Sequence, residues 1–114
     1  MNHKKLIEYC LTHSDTYEDY PFGEEWAVIR HKSNKKSFAL IYEREGRLCI
    51  NLKCEPMKAD FLRSVKSGVV PAYHMNKVHW NTIYINTDVT KEELYDMIDH
   101  SFSITAPKLR GKKA

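Results

Sequence analysis

The fold follows from an alternation in one stretch of the chain, Arg47-Leu48-Cys49-Ile50-Asn51-Leu52-Lys53. Leu48, Ile50 and Leu52 fall on one side of an extended chain, and the residues between them fall on the other side. Such a pattern is typical of a strand in an antiparallel sheet that has one buried face and one more polar face. We therefore expect a sheet whose buried face packs against another layer.

Two further strands precede this stretch, Trp26 to Arg30 and Ser37 to Tyr42. The turn-forming runs Ser33-Asn34-Lys35 and Arg44-Glu45-Gly46 separate the three strands. Because connections this short join antiparallel neighbours, the three strands should lie side by side. A second hairpin is predicted later in the chain, from Ala72 to Lys77 and from Trp80 to Asn86.

Three helices surround these strands. The first is predicted from Asn2 to His13, and the last opens at Thr90 with a capping-box pattern. The second begins at Pro56, whose missing N–H would be unpaired at a first helical position in any case. Its apolar residues at helical spacing should face the core, and they are Met57, Phe61, Leu62 and Val65.

The element order α-β(3)-α-β(2)-α groups the strands between helices instead of alternating with them. It predicts an α+β two-layer sandwich, with a five-stranded antiparallel sheet packed on helices. The 114 residues fit one domain, which we place at residues 1–106, followed by a basic C-terminal tail at 107–114.

The composition of the chain indicates the cellular environment of the protein. No apolar run approaches the roughly 20 residues that span a bilayer, and the first residues do not resemble a signal peptide. Three cysteines, Cys10, Cys49 and Cys54, show no paired spacing, which favours reduced thiols. We therefore expect a cytoplasmic protein without a membrane segment.

Charge is unevenly distributed along the chain although the net charge is only +3. Seven Lys or Arg residues and two acids lie between Arg30 and Lys53, whereas five acids and no Lys or Arg lie between Asp15 and Glu25. Such polarity favours an anionic partner, but it is also compatible with ordinary solvated turns.

The sequence matches none of the catalytic motifs with which we compared it. The two histidines of the segment Pro71 to Thr82 are five residues apart and lack the spacing of a helical zinc pair. Cys54 precedes a helix start that could lower its thiol pKa, but no base can be assigned to it. Neither a glycine-rich phosphate loop nor a nucleophile elbow is present. We expect no enzymatic activity, no metal and no cofactor.

The segment Pro71 to Thr82 is unusually rich in aromatic, imidazole and amide groups. In a structural interpretation, Tyr73 and Trp80 form a cross-strand aromatic pair and the two asparagines make turn hydrogen bonds. In a functional interpretation, the same groups form a recognition surface for nucleic acid. The residues alone leave both interpretations open.

This run, Pro71-Ala72-Tyr73-His74-Met75-Asn76-Lys77-Val78-His79-Trp80-Asn81-Thr82, resembles the signature of the MmcQ/YjbR family, whose members carry Gly at the position of Ala72. The runs Pro21-Phe22-Gly23 and Leu52-Lys53-Cys54-Glu55-Pro56 also resemble the family pattern, as does Asp99-His100-Ser101-Phe102 with the basic tail. The likeness extends over almost the whole chain.

The resemblance implies a bacterial protein with a fold related to frataxin (CyaY-like) and to secretion chaperones. It also implies DNA binding by two β-hairpins, a double wing. The wings would be the hairpin near Ser33 to Lys36, or near Arg44 to Gly46, and the hairpin near Asn76 to His79. Phosphate contacts are expected from Arg30, Lys32, Lys35, Lys36, Lys53 and Lys77. Asn76 and His79 are the candidates for base or sugar contacts, and Tyr73, His74, Trp80 and Asn81 for structural roles.

Two alternatives remain at this stage. The first is a protein- or peptide-binding module, including a homodimer, that uses an open sheet face around Cys49, Asn51 and Tyr84 or a free strand edge. The second is a small-molecule or metal site around His74, His79 and Trp80.

Overall fold

The structure, a computed structural model, describes residues 1–108. The distal part of the expected basic tail, residues 109–114, lies outside the described residues. None of the described helices is long and apolar enough to cross a membrane. The elements in chain order are α1 (His3–Leu11), β1 (Thr16–Asp19), β2 (Ala27–His31), β3 (Ser37–Arg44), β4 (Arg47–Lys53), α2 (Pro56–Val65), β5 (Val69–Pro71), β6 (Trp80–Tyr84) and α3 (Lys91–Thr105).

The α+β class is confirmed, but the sheet has six antiparallel strands in the order β1-β2-β3-β4-β6-β5 instead of five. The additional strand is β1, which pairs along β2 from Thr16 opposite His31 to Asp19 opposite Val28. Its sequence, Thr16-Tyr17-Glu18-Asp19, is short and acidic and forms an edge of the sheet, so it carries little strand signal of its own.

The helical face of the sheet agrees with the sequence pattern. Ile50 and Leu52 of β4 are buried in one core with Leu6 of α1 and with Leu94 and Ile98 of α3. Thr90 and Glu93 form the predicted capping box, with bonds of 3.1 and 2.9 Å between side chains and backbone N–H groups. Helix α3 packs against β3 and β4 at the centre of the sheet, and α1 packs against β1, β2 and β3.

The predicted core side of α2 is wrong for three of its four residues, and only Leu62 packs against the core as expected. Met57, Phe61 and Val65 are 87, 60 and 50% exposed, so the stripe that they form faces solvent. Ala59 is fully buried instead, one helical turn before the half-buried Arg63. The helix turns this side inward, where the guanidinium of Arg63 donates to Trp80 and Asn81 at the start of β6.

The second face of the sheet is not open. Cys49 and Asn51 are fully buried and Tyr84 is only 8% exposed, although the alternation predicted a more polar face there. Trp26 stacks on Tyr42 of this face at 3.8 Å between ring centroids. The side chains of Val70 and Tyr73 pack against the same face, so the expected open docking face at these three residues is wrong.

The second hairpin has a wider loop than predicted. Ala72 to Lys77 is not a strand, because the ladder of β5 ends at Pro71 and β6 begins only at Trp80. Residues 72–79 form the connection, which we call the motif loop. Its positive φ of 63° belongs to His74, not to Ala72, so the Gly-to-Ala difference from the family pattern does not strain the turn.

Candidate functional site

The β2–β3 turn presents three exposed lysines, Lys32, Lys35 and Lys36, at one end of the sheet. Asn34 anchors the turn from both sides. Its Oδ1 accepts from the backbone N–H of Lys36 at 3.0 Å, and its Nδ2 donates to the carbonyl of Thr105 in α3 at 3.0 Å. The lysines therefore project from a turn whose backbone is held in place.

The antiparallel order brings two further predicted residues to the same end. Lys53 closes β4 and pairs with Trp80 at the start of β6. The carbonyl of His79 accepts from the backbone N–H of Cys54 at 2.8 Å, which ties the motif loop to the end of β4, while the side chain of His79 remains exposed. We call Lys32, Lys35, Lys36, Lys53 and His79 the basic end.

Asn76 and Lys77 are largely engaged in the loop itself. The side-chain oxygen of Asn76 accepts from the N–H groups of Val78 and His79 at 2.9 and 3.2 Å. The ammonium of Lys77 donates to the carbonyl of Ala72 at 3.0 Å. Base or phosphate contacts by these two residues remain predictions, and they would compete with bonds that shape the loop.

The guanidinium of Arg30 is also engaged in hydrogen bonds within the protein. Its Nε donates to Oδ2 of Asp19 at 2.8 Å, and its Nη1 donates to the carbonyl of Lys35 at 3.0 Å. The ion pair joins β1 to β2, and the second bond braces the β2–β3 turn. A phosphate contact by Arg30 stays a prediction, but a bound phosphate would have to share its guanidinium with Asp19.

The expected Tyr73–Trp80 pair is not formed. The guanidinium of Arg44 lies 4.2 Å from the centre of the Tyr73 ring, and the ring of His74 lies 3.9 Å from it. Trp80 instead occupies the first position of β6 opposite Lys53. Tyr73 thus belongs to the second face of the sheet, whereas Trp80 belongs to its end.

A buried network that the sequence did not reveal holds the motif loop on the sheet. Asn51 donates to the carbonyl of Tyr73 at 3.1 Å and accepts from the hydroxyls of Tyr42 and Thr82 at 2.8 and 2.6 Å. Thr82 in turn accepts from the N–H of Tyr73 at 2.9 Å. Burial raises the pKa of the Tyr42 phenol, so it stays a neutral donor. The signal for this network in the sequence was Asn51, a polar residue between the apolar residues Ile50 and Leu52 of β4.

Arg63 of α2 holds the other side of the loop, and no sequence pattern singled it out. It donates to Oδ1 of Asn81 at 2.6 Å, to the carbonyl of Trp80 at 3.2 Å and to the carbonyl of Lys77. The side chain of Asn81 is buried. The motif loop is therefore braced by a helix on one side and by the sheet on the other.

A groove of about 740 Å³ crosses the second face of the sheet. Its floor is formed by Leu40 and Tyr42. One wall comes from the chain before β2, and the other comes from Tyr73 to Met75 of the motif loop. His74 lies at this groove, whereas Trp80, opposite Lys53 in β6, lies outside its lining.

The cysteines and histidines are the side chains that a metal or thiol site would require. No group of three or more potential metal-ligating side chains converges within residues 1–108. All three cysteines are free and buried, and burial raises the pKa of Cys10 to about 12 and that of Cys54 above its ordinary value. The expectation of a lowered pKa for Cys54 is therefore wrong, because desolvation by burial outweighs the nearby cations of Lys58 and Arg63.

Known proteins resemble this chain both in sequence and in structure. The family model described as YjbR matches residues 11–104. The Escherichia coli (strain K12) protein YjbR is 29% identical, over 90% of this chain and 85% of its own. The Bacillus subtilis protein YyaQ is 36% identical, over 79% of this chain and 86% of its own.

Solved structures show the same fold. A Pseudomonas syringae protein superposes with a TM-score of 0.82 at 33% identity, over 93% of this chain and all of its own (100%). A Deinococcus radiodurans protein superposes with a TM-score of 0.83 at 26% identity, over 96% of this chain and 85% of its own.

Proposed function

The chain belongs to the YjbR family, and we propose that it is a non-enzymatic protein that binds duplex DNA with its basic end. The observation that carries the proposal is the convergence of Lys32, Lys35, Lys36 and Lys53 at one end of the sheet. None of these four lysines forms an ion pair within residues 1–108. Unpaired lysines on anchored turns are suited to phosphate contacts, which supply most of the affinity for non-specific DNA.

The side chains of the two wings differ in whether they are already engaged in hydrogen bonds. The β2–β3 turn offers its lysines without other engagements, whereas the motif loop uses Asn76 and Lys77 to maintain its own shape. The exposed imidazole of His79 is the remaining recognition group of the loop. The β2–β3 turn should therefore contribute most of the electrostatic affinity.

Fluorescence anisotropy with a labelled duplex, measured over a series of salt concentrations, tests the proposal. The logarithm of the binding constant should fall linearly with the logarithm of the salt concentration, by about 0.9 for each phosphate neutralised. Lys35→Glu combined with Lys36→Glu should abolish binding.

The matched control is Lys4→Glu combined with Lys5→Glu, which makes the same change in charge on the exposed side of α1. These two residues lie at the start of α1, away from the β2–β3 turn. An absence of binding at low salt would overturn the proposal. Equal loss of binding in both double variants would show that net charge, not the basic end, attracts DNA.

Self-association is the second candidate function, and the exposed stripe Met57, Phe61 and Val65 on α2 favours it. Apolar residues spaced by one helical turn form a continuous strip that a second copy could cover. Sedimentation over a wide range of protein concentration tests this candidate. A dimer that Phe61→Ser dissociates would support it, and a monomer at every concentration would reject it.

A further inference from the structure

The groove on the second face of the sheet presents aromatic surfaces in several orientations. Phe22 is 68% exposed at its rim and meets Trp26 edge to face, at 6.3 Å between centroids and 83° between planes. Trp26 lies parallel to Tyr42, with only 5° between the two planes. Tyr73 forms the opposite wall. Aromatic groups arranged around one space can surround a compact ligand group from more than one side.

The charges around this groove are mainly negative. Glu43 and Glu45 line it, and both are exposed. Arg44 is the one lysine or arginine in the lining, but its guanidinium already lies over the Tyr73 ring and donates to the Tyr84 hydroxyl at 3.0 Å. Two more exposed acids, Glu24 and Glu25, stand in the chain between Phe22 and Trp26.

Aromatic faces and carboxylates attract the same kind of ligand. The face of an aromatic ring carries a negative quadrupole that binds cations, most strongly those with a weakly held hydration shell, such as quaternary ammonium groups. Two rings of this face already hold cations within the protein, since Arg44 lies over Tyr73 and Arg47 lies over Tyr84 at 4.0 Å.

From this geometry we propose that the groove is a binding site for a small organic cation, an alkylated ammonium group on an apolar body. Phe22 and Trp26 enclose the alkyl groups, Tyr73 provides a further aromatic wall, and Glu45 supplies the opposite charge at the rim. The site is separate from the basic end, because the groove lies where β2 begins and β3 ends, whereas the lysines lie where β2 ends and β3 begins. It does not depend on DNA binding.

Three probes of one shape test the charge requirement. They are choline, its neutral isostere with a tert-butyl group in place of the trimethylammonium group, and the anion tert-butylacetate. Trp26 fluorescence reports binding in a Trp80→Phe background, at ionic strength matched with sodium chloride. Choline should give a saturable change and bind about tenfold more tightly than the neutral isostere, as expected for a partly desolvated cation–π site. The anion should bind most weakly.

Two single variants locate the site. Phe22→Ala and Glu45→Gln, both at exposed positions that leave the core intact, should each weaken choline binding severalfold. Two control variants lie at exposed positions elsewhere and should have no effect: Ile104→Ala on α3 truncates an apolar side chain, and Glu8→Gln on α1 removes a carboxylate. The proposal is overturned if choline gives no saturable change, if the neutral isostere or the anion binds as tightly as choline, or if the control variants weaken binding equally.

Discussion

The substitution Asn51→Leu tests whether the buried network holds the motif loop on the sheet. Asn51 is fully buried and makes three hydrogen bonds, to the Tyr42 hydroxyl, the Thr82 hydroxyl and the Tyr73 carbonyl. Leucine has the same branched shape and the same number of non-hydrogen atoms, so it removes the bonds without opening a cavity. The Tyr73 carbonyl would then be left without its side-chain donor.

The expected loss in the free energy of unfolding follows from these contacts. A hydrogen bond between neutral groups contributes about 1 kcal/mol net, and a buried group left without a partner costs about 1–3 kcal/mol. Three lost bonds and one stranded carbonyl therefore destabilise the protein by about 4 kcal/mol. With a urea m-value of about 2 kcal/mol/M, typical for a chain of this size, the unfolding midpoint should fall by about 2 M.

Urea unfolding followed by tryptophan fluorescence measures this shift, and an unchanged m-value shows that only stability has changed. Thr82→Val removes the partner hydroxyl, so the double variant Asn51→Leu/Thr82→Val should cost less than the sum of the two single variants. Thr82→Ser keeps the hydroxyl and is the matched control. A loss below about 1 kcal/mol for Asn51→Leu, or strict additivity in the double variant, would refute the reasoning.

Further expectations concern thiols, acid stability and a close contact. Because all three thiols are buried and the pKa of Cys10 is about 12, a thiol reagent at mildly alkaline pH should label the native protein slowly and the urea-unfolded protein at once. The backbone N–H groups of Ser67 and Gly68 lower the pKa of Asp88. The stability that the Asp88 carboxylate contributes is therefore present at neutral pH and is lost as the pH falls through the lowered pKa. In the Asp88→Asn variant, stability should fall less steeply at acid pH. Gly68→Ala should cost about 1–3 kcal/mol in thermal or urea unfolding, because the new Cβ would lie 2.1 Å from Oγ1 of Thr87. A Gly68→Ala protein as stable as the parent would show that Thr87 can move aside.

The elements with strong local patterns were predicted well. The bounds of β4 agree with its alternation, α2 begins at Pro56, and Thr90 caps α3. Each of these features depends on residues within one or two turns of chain, so it can be read without knowledge of the remaining structure. The exposure of Lys32, Lys35 and Lys36 could be predicted for the same reason, since the turn between two neighbouring strands is a local feature, while their phosphate contacts remain a prediction.

The errors concern pairing and packing between distant residues. β1 is a strand because β2 offers it a ladder, not because Thr16 to Asp19 favours one. The outward stripe of α2 was mistaken for its core side because Arg63 binds carbonyl groups that are 14 and 17 residues away in sequence. Asn51 was placed on an open face because its partner Tyr73 follows 22 residues later.

Periodicity and turn chemistry in the chain thus specify the α+β class, the helical face of the sheet and the location of the basic turn, because those properties arise from neighbouring residues. The sixth strand arises only because β2 offers β1 a ladder, and the burial of the second face and the aromatic groove arise only when the motif loop folds back over β3 and β4. Hydrogen bonds from Asn51 and Arg63 to that loop connect segments that no local pattern relates. For this reason the family signature around Tyr73 could be recognised in the sequence, whereas its role as a wall of a groove follows from the folded chain.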